Sequence, residues 1–289
     1  MKAMILAAGF GTRLKPYSLL RPKPLFPVLD LPLLLFTIDK LRQSGFDSII
    51  INAHHLREQF AELLKNEIDI SLQLEEKILG TGGGLRLAMD KLGPEPVLIT
   101  NGDIFHDIDL IGVYDAHLRS GARATLVLHD YPRFNNVAVS GERILGFGDI
   151  EAEEERRMAF TGIHVLDPAL LSMIPNEKFF NIIDCYRYWI KKGAFVRAQV
   201  VKDNWTDIGT PADYLALHGS LLAERARKGQ GSFYVGADVG MGPDVELSDW
   251  VSIGSRAVIG KGARLTRVVV WDGAKVAEQV VLRDTIVAC

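Results

Sequence analysis

Leu6-Ala7-Ala8-Gly9-Phe10-Gly11-Thr12-Arg13, followed one short loop later by Arg21-Pro22-Lys23-Pro24, decides the reading of this chain. The stretch follows a short apolar run, Met4 to Leu6, and so reads as a strand ending in a glycine-rich turn and a basic, proline-flanked loop. Such a turn suits phosphate. Glycines let backbone N–H groups converge on an anion without interference from a Cβ, Thr12 adds a hydroxyl, and Arg13 and Lys23 bring charge to several phosphate oxygens. The two prolines restrict the backbone around Lys23 and lower the entropic cost of aiming its ammonium. Better-known phosphate loops do not fit: there is no Gly-Lys-Ser/Thr as in the P-loop, and no third glycine opening the helix as in the dinucleotide fingerprint.

Outward from this stretch, short apolar runs alternate with amphipathic ones. Strands are expected over 2–7, 48–52, 70–74, 97–100 and 123–129, and helices over 33–44, 55–65, 83–92 and 110–120. That alternation predicts an α/β fold, a mostly parallel sheet covered by helices, with ligands at the carboxyl ends of strands where strand order reverses. The glycine turn lies at one such end and Asn101-Gly102-Asp103 at another. Shorter strands are expected between Val137 and Leu166, interrupted by an acidic stretch from Glu151 to Arg157 that reads as a solvated loop. Helices return over 182–192 and 211–226, the second opened by Thr210-Pro211 as N-cap and first-turn proline.

At Arg227-Lys228-Gly229-Gln230-Gly231 the texture changes, which places a domain boundary between 1–228 and 232–289. Beyond it apolar residues recur every sixth position: Val239, Val245, Val251; Ile253, Ile259, Leu265; Val270, Val276, Leu282; Val268, Ala274, Val280, Ile286. Hexapeptide periodicity marks a short parallel β-helix, whose repeats bury their apolar residues only by stacking. So few coils need a partner, so the tail is expected to pack on the preceding domain or on a sister chain. It carries no catalytic histidine of the kind hexapeptide acyltransferases use, because all seven histidines precede residue 219.

Composition narrows the function. A chain of 289 residues, 48% hydrophobic, can bury a large core, and a net charge of −3 gives no nucleic-acid footprint. The two cysteines, Cys185 and Cys289, form no disulfide framework or metal spacing. The apolar start is too short for a signal sequence and no run reaches membrane-spanning length, so a cytoplasmic protein without a membrane partner is expected. The adjacent His54 and His55 diverge and do not read as a metal site, and Cys185 reads as a buried apolar residue.

With Pro24-Leu25-Phe26-Pro27-Val28 after Lys23, the chain resembles the sugar-1-phosphate nucleotidyltransferases over roughly its first three quarters. The tail is similar to hexapeptide-repeat domains. The resemblance implies a Rossmann-like nucleotidyltransferase fold followed by a short left-handed parallel β-helix, and a homo-oligomer formed through that tail. It implies magnesium-dependent transfer of a nucleoside monophosphate from a nucleoside triphosphate to a sugar 1-phosphate. On this reading Arg13 and Lys23 are catalytic, Asp103 and Asp207 hold Mg2+, and Leu6, Ala7, Ala8, Gly9, Gly11, Thr12, Glu75, Gly80, Thr81 and Gly102 bind nucleotide. Asp207 stands in Trp205-Thr206-Asp207-Ile208-Gly209-Thr210, and each aspartate also has a plain reading as a turn residue.

Two features leave specificity open. Glu75 before Gly80-Thr81-Gly82-Gly83-Gly84 favours guanine, because a carboxylate accepts from its N1 and N2. The triple glycine with Phe160-Thr161-Gly162-Ile163 is most similar to N-acetylmuramate-1-phosphate uridylyltransferases, whereas the tail is similar to mannose-1-phosphate guanylyltransferases. The family's sugar-phosphate lysine is missing here; Arg156 or Arg157 has the charge to substitute but reads first as a solvated surface arginine, and Asn136, Phe160 and Thr161 are the sugar-site candidates. A non-catalytic nucleotide-sugar sensor on the same scaffold is the alternative; retention of Arg13, Lys23, Asp103 and Asp207 favours the enzyme.

Overall fold

The computed structural model describes residues 1–148 and 156–288, so most of the acidic stretch lies outside the described residues. The chain forms two compact units. One comprises Met1–Gly9 and Thr37–Trp205, the other Phe10–Phe36 and Thr206–Cys289.

The first unit is built on a nine-stranded sheet among the described residues. Its order is Ile70–Leu74, Ser48–Ala53, Lys2–Leu6, Val97–Asn101, Arg156–Leu166, Ala124–His129, Val196–Val201, Arg143–Phe147 and Val137–Ser140. The first four are mutually parallel, and near-continuous apolar runs such as Ile49-Ile50-Ile51 and Val97-Leu98-Ile99 are buried, as a sheet covered on both faces requires. Beyond them the sheet is mixed: Val196–Val201 runs parallel to Ala124–His129, whereas Arg156–Leu166 runs antiparallel to both neighbours, and Val137–Ser140 pairs antiparallel with Arg143–Phe147. The short turn at Gly141, with φ of 54°, accounts for that hairpin, because a connection so short joins only antiparallel strands.

Lys2–Leu6 lies between Ser48–Ala53 and Val97–Asn101, so strand order reverses beside it. Two loops therefore leave the sheet side by side, after Leu6 and after Asn101, whose Cα positions are paired. Gly102 seals the pairing. Its N–H donates to the Leu6 carbonyl at 2.9 Å, and a Cβ there would come within 3.1 Å of Ile5 and 3.3 Å of Ala7.

The second unit joins the basic loop, the helix Pro211–Arg227 and the tail, a division that differs from the expected boundary after residue 228. Tyr214 supplies the reason. Fully buried on that helix, it donates its hydroxyl to the Pro27 carbonyl and accepts from the Trp271 indole at 3.1 Å, tying helix to loop and to tail. The helix starts as expected, with the Thr210 hydroxyl accepting from Asp213 N–H at 3.2 Å.

From Phe233 onward the chain forms two parallel sheets, ordered Phe233–Val235, Glu246–Ile253, Arg264–Val270, Val281–Val287 and Gly240–Met241, Val258–Ile259, Lys275–Val276. Arg267 reaches acids 18 residues back and 17 residues on, at Asp249 and Asp284, so one coil takes about three hexapeptides. Val251, Ile253, Ile259, Leu265, Val268, Val270 and Val276 fill the interior, while Val239, Val245 and Leu282 in the outer coils are only half-buried. At Gly254 the next coil passes so close that a Cβ would sit 2.5 Å from Asp272 N.

Candidate active site

In the first unit the glycine stretch begins on a relay of hydrogen bonds. Ala7 N–H donates to Asn52 Oδ1 at 2.8 Å, Asn52 Nδ2 donates to Glu75 Oε1 at 2.7 Å, and Leu79 N–H donates to Glu75 Oε2 at 3.2 Å. Glu75 is 2% exposed. Burial raises its carboxyl above the usual carboxylate range, against the opposing pull of the Asn52 and Leu79 bonds. The carboxylate expected to read a base edge is thus turned inward, because both oxygens are needed to hold the strand end Asn52 and the turn at Leu79. Asn52 itself was not singled out from sequence; the signal was a lone amide closing an otherwise apolar strand.

The triple glycine also serves packing. Gly82, Gly83 and Gly84 are buried in the helix Gly80–Leu87, where a Cβ on Gly83 would meet the Lys178 carbonyl at 2.5 Å and one on Gly84 the Asn52 amide at 2.7 Å. The N–H groups of Gly82 and Gly83 both donate to the Phe180 carbonyl, so they are not free for a base. The Thr81 hydroxyl accepts from Ile182 N–H at 3.0 Å, and Gly80, with φ of 70°, lies against Phe180. By contrast, Gly9 is exposed and a Cβ there would meet nothing within 4 Å. The space beside Gly9 is therefore open to solvent, unlike that beside the buried glycines. Asp103, half-exposed, follows Gly102 from the same sheet end.

In the second unit two cations meet one carboxylate. Lys23 Nζ lies 2.9 Å from Asp207 Oδ1 and Arg13 Nη2 3.8 Å from Asp207 Oδ2. The Lys23 side chain is 7% exposed and that of Arg13 59%, so the lysine is held while the arginine reaches into solvent. Together the three groups carry one positive charge in excess, an arrangement that attracts an anion. Gly11, with φ of 59°, turns the chain so that Thr12–Leu14 forms a short 3-10 helix and presents Thr12 and Arg13 outward. Gly209 belongs here too: a Cβ would come within 2.7 Å of Asp207 Oδ2 and 2.9 Å of Arg13 Nη2. Among the described residues no group of three or more His, Cys, Asp or Glu is placed to hold a metal by itself.

Residues 2–224 match the nucleotidyl transferase family. The chain is 30% identical to mannose-1-phosphate guanylyltransferase 1 of Arabidopsis thaliana over 326 residues, 99% of this chain and 86% of that protein. It belongs to the sugar-1-phosphate nucleotidyltransferase family. The UTP–glucose-1-phosphate uridylyltransferase of Synechocystis is 29% identical over 298 residues, covering 92% of this chain and 76% of the relative. HddC from Yersinia pseudotuberculosis, solved in complex with GMP-PN, shares the fold with a TM-score of 0.63 at 22% identity, over 75% of this chain and 97% of that one.

The sugar-side candidates of this nucleotidyltransferase divide. Asn136 is exposed, its backbone fixed between Met158 and Gly148. Thr161 is 1% exposed and donates its hydroxyl to the Val127 carbonyl at 2.8 Å, while Phe160 packs against the core and His164. Both positions are on a strand in mid-sheet; the Thr161 side chain is committed to the fold, whereas Phe160 is half-buried. Arg156 pairs with Asp130 at 3.1 Å, and Arg157 donates to the Gly148 carbonyl. Sequence reasoning also passed over an aromatic group in which Trp205 meets His129, Tyr131 and Phe134, with its indole donating to the Thr161 carbonyl at 2.9 Å. His54 bonds the Glu75 carbonyl through Nδ1, and Cys185 is fully buried, its thiol pushed up to about 12 by desolvation. No helix among the described residues is long and apolar enough to cross a membrane.

Proposed function

We propose that this nucleotidyltransferase joins a nucleoside triphosphate to a sugar 1-phosphate. A sugar-phosphate oxygen attacks the α-phosphorus, the bond from that phosphorus to the bridging oxygen of the β-phosphate breaks, and pyrophosphate leaves as the nucleotide sugar forms. The observation that carries the reading is the seating of Lys23 and Arg13 on Asp207. Two polyanions repel as they approach, so catalysis here is alignment plus charge compensation. A lysine fixed by its carboxylate needs no reorganisation when charge builds on the leaving group, whereas the exposed arginine is free to follow the outer phosphates. Gly9 and the N–H groups around it offer close backbone approach to the triphosphate.

Magnesium belongs to this proposal. An ion that takes most of its ligands from phosphate and water needs only one or two carboxylates from the protein, and Asp103 and Asp207 would hold it. When bound it supplies further neutralisation of the phosphates. The inward Glu75 removes the argument for guanine, and relatives named for either base stand at nearly equal identity. The hexapeptide register supports a left-handed coil and self-association through the tail, in a cytoplasmic enzyme.

The test is pyrophosphate release from GTP, UTP and dTTP with magnesium and a panel of sugar 1-phosphates, in the parent protein and in Lys23→Ala. Release by the parent and its loss by about two to three orders of magnitude in the variant are expected. Silence across the panel, with retained nucleotide-sugar binding, would establish the sensor instead.

A further inference from the structure

The segment that carries Lys23 is held on both sides by one dipeptide of the tail. Arg21 forms a two-pronged pair with Asp272, Nη1 to Oδ1 at 2.8 Å and Nη2 to Oδ2 at 3.2 Å, and its guanidinium lies 4.9 Å from the centre of the Trp271 ring. On the other side of Lys23, Phe26 meets the same indole edge-on at 4.8 Å and Tyr214 at 5.7 Å. Trp271, 1% exposed, donates to the Tyr214 hydroxyl, which in turn donates to the Pro27 carbonyl. Between these anchors stand Pro22, Lys23 and Pro24, with Lys23–Leu25 wound into a 3-10 turn. Two prolines leave little backbone slack, so the placement of Arg21 is passed on to Lys23.

We infer that Asp272 is a positioning residue for Lys23, acting through Arg21, so that the Trp271-Asp272 corner of the tail, and not the rest of it, bears on catalysis. The inference rests on the transferase reading for the role of Lys23. A forked guanidinium–carboxylate pair fixes orientation as well as distance, which a lone lysine contact does not. Misplacement of a reacting group by about 1 Å costs on the order of 100-fold in rate. The Arg21 and Asp272 side chains are only 21% and 29% exposed, so losing one partner also costs stability, and the effect on rate is told apart from unfolding by the thermal midpoint measured alongside.

The experiment compares Asp272→Asn, Asp272→Glu and the control Asp249→Asn, which loses another tail carboxylate, one paired with Arg267. In Asp272→Asn, kcat is expected to fall by about ten- to a hundredfold with KM for the nucleotide changed far less, in protein whose thermal midpoint is lower but still well above the assay temperature. Asp272→Glu should recover part of the loss, and Asp249→Asn should match the parent. Combining Asp272→Asn with Lys23→Arg should cost less than the product of the two single losses, because both act on one group. Independently of turnover, acylation of Lys23 by an amine-reactive ester, read by mass spectrometry, should rise about tenfold in Asp272→Asn, with the exposed Lys65 unchanged as reference. Parental kcat and parental Lys23 labelling in Asp272→Asn overturn the inference, as do fully multiplicative losses with unchanged labelling. Should the parent release no pyrophosphate, the transferase reading fails and the labelling alone decides whether Asp272 places Lys23. If Asp272→Asn does not fold, Arg21→Gln removes the same pair from the other side and carries the same expectations.

Discussion

Glu75 shows how one residue type can support two opposite readings. From sequence, a carboxylate ahead of a glycine run has the chemistry to accept from guanine. In the structure it accepts from Asn52 and Leu79 instead, and so braces the start of the glycine loop through Ala7. Replacing it by glutamine keeps an acceptor for one donor and turns an amide N–H toward the other. Glu75→Gln is therefore expected to cost about 1–3 kcal/mol of stability, read from the denaturant midpoint, because a buried donor loses its partner. The ratio of rates with GTP and UTP should stay unchanged, and a shift in that ratio would restore the base-reading role. Lys23, Arg13 and Asp207 were legible as single residues because charge beside glycine and proline is chemically conspicuous. Asn52 and Gly209 were not, since what gives them meaning is a neighbour far away in sequence.

At the scale of elements, apolar periodicity carried most of the fold. Leu110–Ser120 and Ile70–Leu74 stand where the pattern put them, and the helix at Pro211 begins at its cap. The mixed second half of the sheet was less legible, because periodicity reports which face is buried and not which strand lies alongside. Val196–Val201, inserted between Ala124–His129 and Arg143–Phe147, was not expected at all, although Val196, Ala198 and Val200 alternate with Arg197 and Gln199. The helix Gly80–Leu87 was the harder case. Its glycines invite a ligand-loop reading, yet they allow the helix to approach the 178–182 segment. Opposing magnitudes settle what Gly83→Ala should do. Alanine gains about 1 kcal/mol of helix propensity, whereas a Cβ 2.5 Å from a backbone carbonyl forces a shift costing about 1–3 kcal/mol. Net destabilisation, seen as a lower midpoint in urea, is the expected outcome; a raised midpoint would show that the 178–182 segment yields freely.

For the molecule as a whole, buried histidines set the acid limit. Desolvation lowers His106 to about 4 and His164 to about 3, and among the described residues neither ring nitrogen of either finds a hydrogen-bond partner. In the second unit His218 is lowered to about 4 by burial, and its Nε2 accepts from Leu29 N–H at 3.0 Å, so the ring is neutral there. An unfolded histidine titrates near 6.5, so below that pH the unfolded chain takes up protons that the folded chain refuses. Stability is thus present above about pH 6.5 and is lost as pH falls toward 4. For His106 and His164 alone the slope approaches about 2.7 kcal/mol per pH unit, and over that window the loss is comparable with the whole stability of an ordinary domain; His117, also lowered by burial, adds in the same sense. Glu75, raised by burial, works in the opposite sense, its penalty growing as pH rises, and offsets only part of the slope. His164→Leu provides the check, since it removes one titrating ring from a site that offers it no partner. Denaturant midpoints measured from pH 7 to pH 4 should fall less steeply in this variant, by about 1.4 kcal/mol per pH unit. An unchanged slope would mean that His164 is hydrated in the native state and already protonates there.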